Sequence, residues 1–251
     1  MSDDRVPVVL VTGASAGIGR EAAAAFAEAG MTVVLAARNE ERGHRAAEEI
    51  RAGGGKAQFF RCDVTEPEDV RELFARITVT YGRLDYAFNN AGVPGDGRLV
   101  DVSEEDFDRA FSVNTRGLWL CLREELRLMA EQGHGSIVNN TSVHGLRTVF
   151  PGIGAYVASK HAAVALTRVA ALEHARDGVR VNALAPGPIE TEMLAASEAA
   201  VGGATTWRGL IPSGEIGTPR QVADVAMWLF SPASSYVNGQ TIGVDGGFLA
   251  V

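Results

Sequence analysis

The chain has 251 residues, 23 Lys and Arg against 31 Asp and Glu, and a formal net charge of −8. With 46% hydrophobic and 22% charged residues it can bury a full core, which excludes a disordered polymer, and its acidic balance argues against a nucleic-acid partner. Cys62 and Cys121 lie far apart without a C-x-x-C pattern, so neither a disulfide scaffold nor a thiolate metal site is expected. The opening residues lack the positive-then-apolar order of a secretory leader, and the apolar runs fall short of the ~20 residues that span a bilayer. A soluble, cytoplasmic protein with no membrane partner is the expectation.

Short β-branched runs alternate with helical patterns along the chain. Residues 6–12 read as a buried strand, followed by a glycine turn and an Ala-rich helix over 20–29 that Gly30 stops. Strands are predicted at 32–36, 57–62 and 84–89, with helices at 40–52 and from Pro67 to Tyr81 between them. One long helix is predicted over 104–131, a fifth strand at 136–141, and another long helix at 155–176. A sixth strand follows at 179–184, then a small-residue stretch at 189–217 with no clear period. A helix at 219–230, a turn at Asn238-Gly239 and a strand at 241–244 complete the pattern. Apolar strands alternating with helices imply an α/β fold, a doubly wound parallel sheet of about seven strands covered on both faces. No linker divides the chain, so 1–251 is read as one Rossmann-type domain. The 189–217 segment is too long for a neutral connection and reads as a substrate loop or lid.

The run Thr12-Gly13-Ala14-Ser15-Ala16-Gly17-Ile18-Gly19 lies between the first strand and the first helix. Glycines there permit a tight turn and let backbone N–H groups approach a pyrophosphate at the positive end of the helix. Further along, Tyr156 and Lys160 stand four apart on one helical face. An ammonium near a phenol favours the phenolate and so suits the tyrosine to proton exchange with a hydroxyl or carbonyl. Ser142 ends the fifth strand, where doubly wound sheets place their crevice; it is read either as a substrate contact or as a turn former.

With these elements in this order the sequence resembles the short-chain dehydrogenase/reductase family. The resemblance runs along essentially the whole chain, through TGASAGIG (12–19), NNAG (89–92), VN (113–114), YVASK (156–160), PG (186–187) and GVDGG (243–247). It implies Tyr156 as general acid/base, Ser142 as orienter of the substrate oxygen, and Lys160 lowering the tyrosine pKa while holding the nicotinamide ribose. Asn114 would anchor the lysine and a water. The implied cofactor contacts are Gly13, Ser15, Ala16, Gly17, Ile18 and Gly19 in the turn, then Asp63 and Val64, Asn90, Ala91 and Gly92, and Pro186, Gly187, Ile189 and Thr191. A homotetramer is also implied. Ser142 and Tyr156 are fourteen positions apart, one more than in most close relatives, and the surplus is expected near 148–150 in the pocket wall.

At the end of the second strand, Ala37 stands where an NAD site usually has a carboxylate, and Arg38 follows. A guanidinium there pairs with a 2′-phosphate, which favours NADP(H) with NAD(H) as the alternative. Ser142, His144, Val149, Phe150, Ile153, Met193 and Trp207 are the expected substrate wall, suited to a moderately hydrophobic ketone or secondary alcohol. His144 is read chiefly as finishing a strand end. No His, Cys, Asp or Glu cluster has metal-ligand spacing. The expected function is hydride transfer between a nicotinamide and a ketone or secondary alcohol. A 3-oxoacyl-carrier-protein reductase is a rival, disfavoured by acidic Glu131 where a basic docking residue would stand. A non-catalytic nucleotide-binding regulator and an epimerase or dehydratase are the remaining alternatives.

Overall fold

The computed structural model describes residues 6–148, 150–201 and 204–251, so Val149 of the expected substrate wall lies outside the described residues. Seven parallel strands form one sheet in the order β3-β2-β1-β4-β5-β6-β7. They are β1 (Val8–Thr12), β2 (Thr32–Ala37), β3 (Lys56–Arg61), β4 (Tyr86–Asn89), β5 (Gly135–Asn140), β6 (Val179–Pro186) and β7 (Thr241–Val244). β1 and β2 are apolar at nearly every position because both faces are covered, and β5 is buried from Ser136 to Asn139 although it carries Ser and Asn. Alternate side chains therefore enter two separate cores. Leu10, Val34 and Ile137 pack toward α3 (Pro67–Tyr81), α5 (Leu118–Gln132) and α6 (Gly154–His174). Val9, Val11, Leu35 and Val138 pack toward α1 (Gly17–Glu28), α2 (Glu40–Ala52) and α9 (Pro219–Phe230). Small alanines on α1 and α2 let these helices lie close to the strands, and Phe26 fills the remaining space edge-on against Phe88 at 6.0 Å.

Strand order reverses between β1 and β4, and the crevice at such a switch point is where doubly wound sheets bind ligands. The elements around it differ from the sequence expectation in three places. Helix α1 begins at Gly17, inside the glycine turn, rather than at Arg20. The long helix expected over 104–131 is interrupted: α4 (Glu104–Phe111) passes into a π-helical turn at Ser112–Gly117 before α5 resumes. The period of apolar residues continues through the interruption, so periodicity alone does not reveal it.

The third difference is in the segment 189–217, which contains α7 (Glu192–Val201) and α8 (Ala204–Leu210) rather than irregular chain. Alanine has the highest helix propensity, and it carries this stretch into helices despite the weak apolar period. A bridge between Ile189 and Gly217 brings the segment's two ends together. Both cysteines are buried and free. Among the described residues, no helix is long and apolar enough to cross a membrane.

Candidate active site

The floor of the crevice is built by the chain leaving β1. Gly13 and Gly17 have φ of +65° and +51°, in the left-handed region that side chains disfavour. A Cβ on Gly13 would stand 2.9 Å from the Ala91 Cα, and one on Gly19 would collide with the Gly13 carbonyl. The third glycine thus lines no cleft; it lets α1 cross directly over the turn. Asn90 locks the arrangement, its amide donating to the Thr12 and Gly13 carbonyls at 3.3 Å while its backbone N–H reaches Thr12 Oγ1 at 3.0 Å. Asn140, at the end of β5, in turn donates to Asn90 Oδ1 at 2.9 Å. No side chain caps the start of α1, so its first N–H groups remain available to an anion.

Above this floor lies a cleft of about 630 Å³. It brings together Gly13, Ser15, Ala16, Gly17, Ile18, Arg38, Asp63, Val64, Asn90, Ala91, Gly92, Tyr156, Lys160 and Thr191, all expected from the sequence. Pro186 instead ends β6, and Gly187 and Ile189 line a smaller neighbouring cavity. The uncapped helix start, the glycine approach and the elongated space fit a dinucleotide. At the far end the Arg38 guanidinium is largely exposed, 3.9 Å from Asp63. Sequence reasoning missed Asn39 and Glu192 here; the latter pairs with Arg42, tying α7 to α2 across the cleft mouth.

At the other end, Tyr156 and Lys160 project from the first turns of α6. Burial raises the Tyr156 pKa, and a hydrogen bond with Ser142 pulls it down. Lys160 lies with Nζ 5.7 Å from the Tyr156 ring centroid and donates to the Asn140 carbonyl at 3.0 Å. Burial brings its own pKa down to about 8. The Ser142 hydrogen bond thus works against the burial of the phenol. Ser142 is the turn former of its second sequence reading, since its Oγ accepts the His144 N–H at 3.1 Å and caps the short turn Val143–Gly145.

Asn114 is implied by the resemblance to anchor Lys160 and a water. Its side chain does not hydrogen-bond Lys160: Oδ1 accepts the Val93 N–H at 2.8 Å, and Nδ2 donates to the Val93 carbonyl and Ser159 Oγ, each at 3.0 Å. Ser159 passes the link to the Tyr156 carbonyl at 2.8 Å, so Asn114 steadies the α6 turn that carries the tyrosine. The π turn is what points this residue inward, and its side chain is fully buried with all three contacts inside the protein. A cavity of about 10 Å³ touches Asn114, Asn140, Lys160 and Asn89, room for a single water.

Beneath this point runs a polar rung that sequence reasoning missed. Asn89 Nδ2 donates to Glu125 Oε2 at 2.8 Å and to Asn139 Oδ1 at 3.0 Å, and Asn139 donates to Thr167 Oγ1 at 2.9 Å. Glu125 is completely buried, and desolvation pushes its pKa up to about 8. A glutamate on an amphipathic helix reads as a surface residue; only the packing of α5 against the sheet turns it inward.

The smaller cavity, about 150 Å³, adjoins the first and shares Ile18, Thr191 and Met193 with it. Ser142, His144 and Trp207 line it as expected. Phe150 backs this wall, edge-on to His144 at 5.8 Å and to Trp207 at 5.1 Å. His144 is therefore more than a strand end: it faces the pocket, with burial lowering its pKa. Ile153 lines neither cavity; its backbone bridges to Gly97 and it caps α6. Phe248 was missed. It reaches the cavity because Asp245 accepts the N–H groups of Gly247 and Leu249 at 2.9 Å, curling the C-terminal segment back over the site.

Residues 13–249 match the family model described as Enoyl-(Acyl carrier protein) reductase. The chain is 41% identical over 254 residues to a 2,5-dichloro-2,5-cyclohexadiene-1,4-diol dehydrogenase of Sphingobium indicum, covering all of both chains. It is 38% identical over 242 residues to a 3-oxoacyl-[acyl-carrier-protein] reductase of Thermotoga maritima, covering 96% of this chain and 97% of that one. Among solved structures, actinorhodin polyketide ketoreductase with NADPH superimposes with a TM-score of 0.95 at 32% identity and full coverage of both chains.

Proposed function

The chain belongs to the short-chain dehydrogenase/reductase family and is an oxidoreductase of the alcohol/carbonyl class, and from that premise we propose that it is an NADP(H)-preferring dehydrogenase/reductase of small, neutral ketones or secondary alcohols, folded as one domain with 189–217 as its substrate lid. The observation that carries the reading is the juncture of the two cavities, where Tyr156 and Ser142 meet beside Lys160. The bound nicotinamide would supply or accept the hydride. Ser142 orients the substrate oxygen, and the Tyr156 hydroxyl gives its proton to that oxygen in reduction and takes it back in oxidation. Lys160, while charged, favours the phenolate at this distance and reaches the ribose side of the cleft. Asn114 holds the tyrosine-bearing turn through Ser159.

The uncapped start of α1 receives the pyrophosphate, and Asp63 and Val64 flank the adenine. Arg38, exposed at the cleft end beside uncharged Ala37, supports a 2′-phosphate partner. Exposed Trp119, Val169 and Leu172 on α5 and α6 support burial of these helices between subunits, in keeping with a homotetramer. Free buried cysteines suit a reducing, cytoplasmic setting. The relative acting on a ring diol favours cyclic substrates, and the small volume of the cavity beside Ser142, about 150 Å³, is in keeping with them.

The test is cofactor oxidation at 340 nm with NADPH or NADH and a panel of cyclic ketones. Turnover that is faster with NADPH at low cofactor concentration is expected. Absence of turnover with every ketone, and of the reverse reaction with the alcohols, overturns the reading.

A further inference from the structure

Two residues that line the cavity beside Ser142, Trp207 and His144, each bury a ring nitrogen that the protein leaves unpaired. Trp207 is 92% buried by its 8% exposure, and its Nε1–H has no hydrogen-bond partner. The Nδ1 of His144 is likewise buried and unpartnered, and a backbone hydrogen bond with Arg147 partly offsets the lowering of the ring's pKa by burial. Proteins rarely bury such groups unpaired, since each loses its hydrogen bonds to water. The two side chains flank the same aromatic ring, Phe150, and line the same space.

The chemistry of the missing partner is constrained. An indole N–H only donates, so its partner must be an acceptor. No Asp, Glu, Lys or Arg is among the described residues lining the cavity, which leaves a carboxylate or an amine without a counter-charge. A neutral oxygen remains, and a neutral imidazole beside it can either donate to that oxygen or accept from its hydroxyl. The cavity's volume of about 150 Å³ matches a six-membered ring. Ser142, at one end, is the contact for the reacting oxygen.

We propose that this cavity is a subsite for a second, neutral oxygen of the substrate, a ketone or hydroxyl across a small ring from the reacting carbon, with Trp207 Nε1–H as its donor and His144 as its second contact. The protein thereby selects ring diones, hydroxy ketones and diols over ring monoketones. This rests on the carbonyl/alcohol reading of the site. A pocket built to hydrogen-bond a substrate group rejects the analogue that lacks it far more strongly than one that differs in apolar bulk.

The experiment compares cyclohexane-1,4-dione with cyclohexanone, in the wild-type protein and in Trp207→Phe, which keeps an aromatic ring and removes the N–H. Reduction is followed by cofactor oxidation, and binding by calorimetry on protein saturated with oxidised cofactor. Wild type is expected to favour the dione by at least about tenfold in kcat/KM and in affinity, and the variant to lose that preference. Equal treatment of the two ketones by wild type, which a water on Trp207 would produce, overturns the subsite; so does a preference that survives in Trp207→Phe. The wild-type comparison decides even where the variant does not fold. Trp207-dependent binding of the dione without reduction leaves the subsite and removes the redox reading, whereas reduction without discrimination does the reverse. Binding of neither ketone overturns the subsite as well.

Discussion

The two halves of the site are made of different materials. Around Gly13, Gly17 and Asn90 the surface is largely backbone, held by carbonyls and amides that have little freedom to be otherwise. Around Ser142, His144, Phe150, Trp207 and Phe248 it is side chains, delivered by β5, α8 and the C-terminal turn. A diphosphate can be held by peptide groups and a helix end, which many sequences supply through a few glycines. Discrimination among carbonyl compounds requires shape and selected donors, which only side chains provide. The first half is thus built to be general and the second to be particular.

Changes confined to one half should leave the other working. The largest effect is expected for Tyr156→Phe, which removes the proton carrier and keeps the ring: kcat should fall about 10²- to 10⁴-fold with cofactor affinity unchanged by fluorescence titration. A variant retaining full turnover would dissolve the division, since the chemistry would then not depend on this side chain.

The polar rung under both halves comes next. The Glu125 carboxyl holds its proton up to about pH 8 when folded, whereas an unfolded glutamate ionises near 4.3. Between those values the unfolded state has lost the proton that the native state keeps. Glu125 therefore costs the fold progressively more stability as pH rises through the window, and no more above it. Glu125→Gln can accept from Asn89 in the same way without that penalty. Its stability relative to wild type should grow from pH 5 to pH 8 by on the order of a few kcal/mol, read from urea midpoints at each pH. Parallel pH dependence in the two proteins would show that Glu125 is ionised in place. Lys160, lowered to about 8, adds a slope of the opposite sign only above about pH 8 and in both proteins, and so leaves the comparison from pH 5 to pH 8 untouched.

The smallest effect sharpens the cofactor half alone. Arg38→Ala should weaken NADPH binding roughly tenfold and leave NADH nearly untouched, measured by nicotinamide emission. Equal loss for both would reassign Arg38 to adenine packing.

Much of this was legible along the chain. The seven strands lie within a few residues of their expected places, because apolar runs of that length between helices have few alternatives in a parallel sheet. Tyr156, Lys160 and Ser142 stood out through the family resemblance carried by several motifs in order, and they line two adjoining cavities. Illegible were the features that arise where helical continuity is broken or a surface pattern is overridden. The π turn leaves the apolar period intact, so the bonds of Asn114 to Val93 and Ser159 could not be foreseen. Glu125 follows the polar pattern of an exposed helix face yet lies wholly inside.

By itself the sequence determined the sheet, the glycine floor and the placing of Tyr156 and Lys160 on one helical face, all consequences of local rules: strand hydrophobicity, positive φ and four-residue helical spacing. Tertiary structure alone decided which polar groups are paired. It gave Glu125 and Asn89 to each other, and it brought Trp207 and His144 from segments some sixty residues apart to one cavity. Hydrogen-bond satisfaction is settled by atoms that meet only after the chain has closed on itself, and no local rule carries that information.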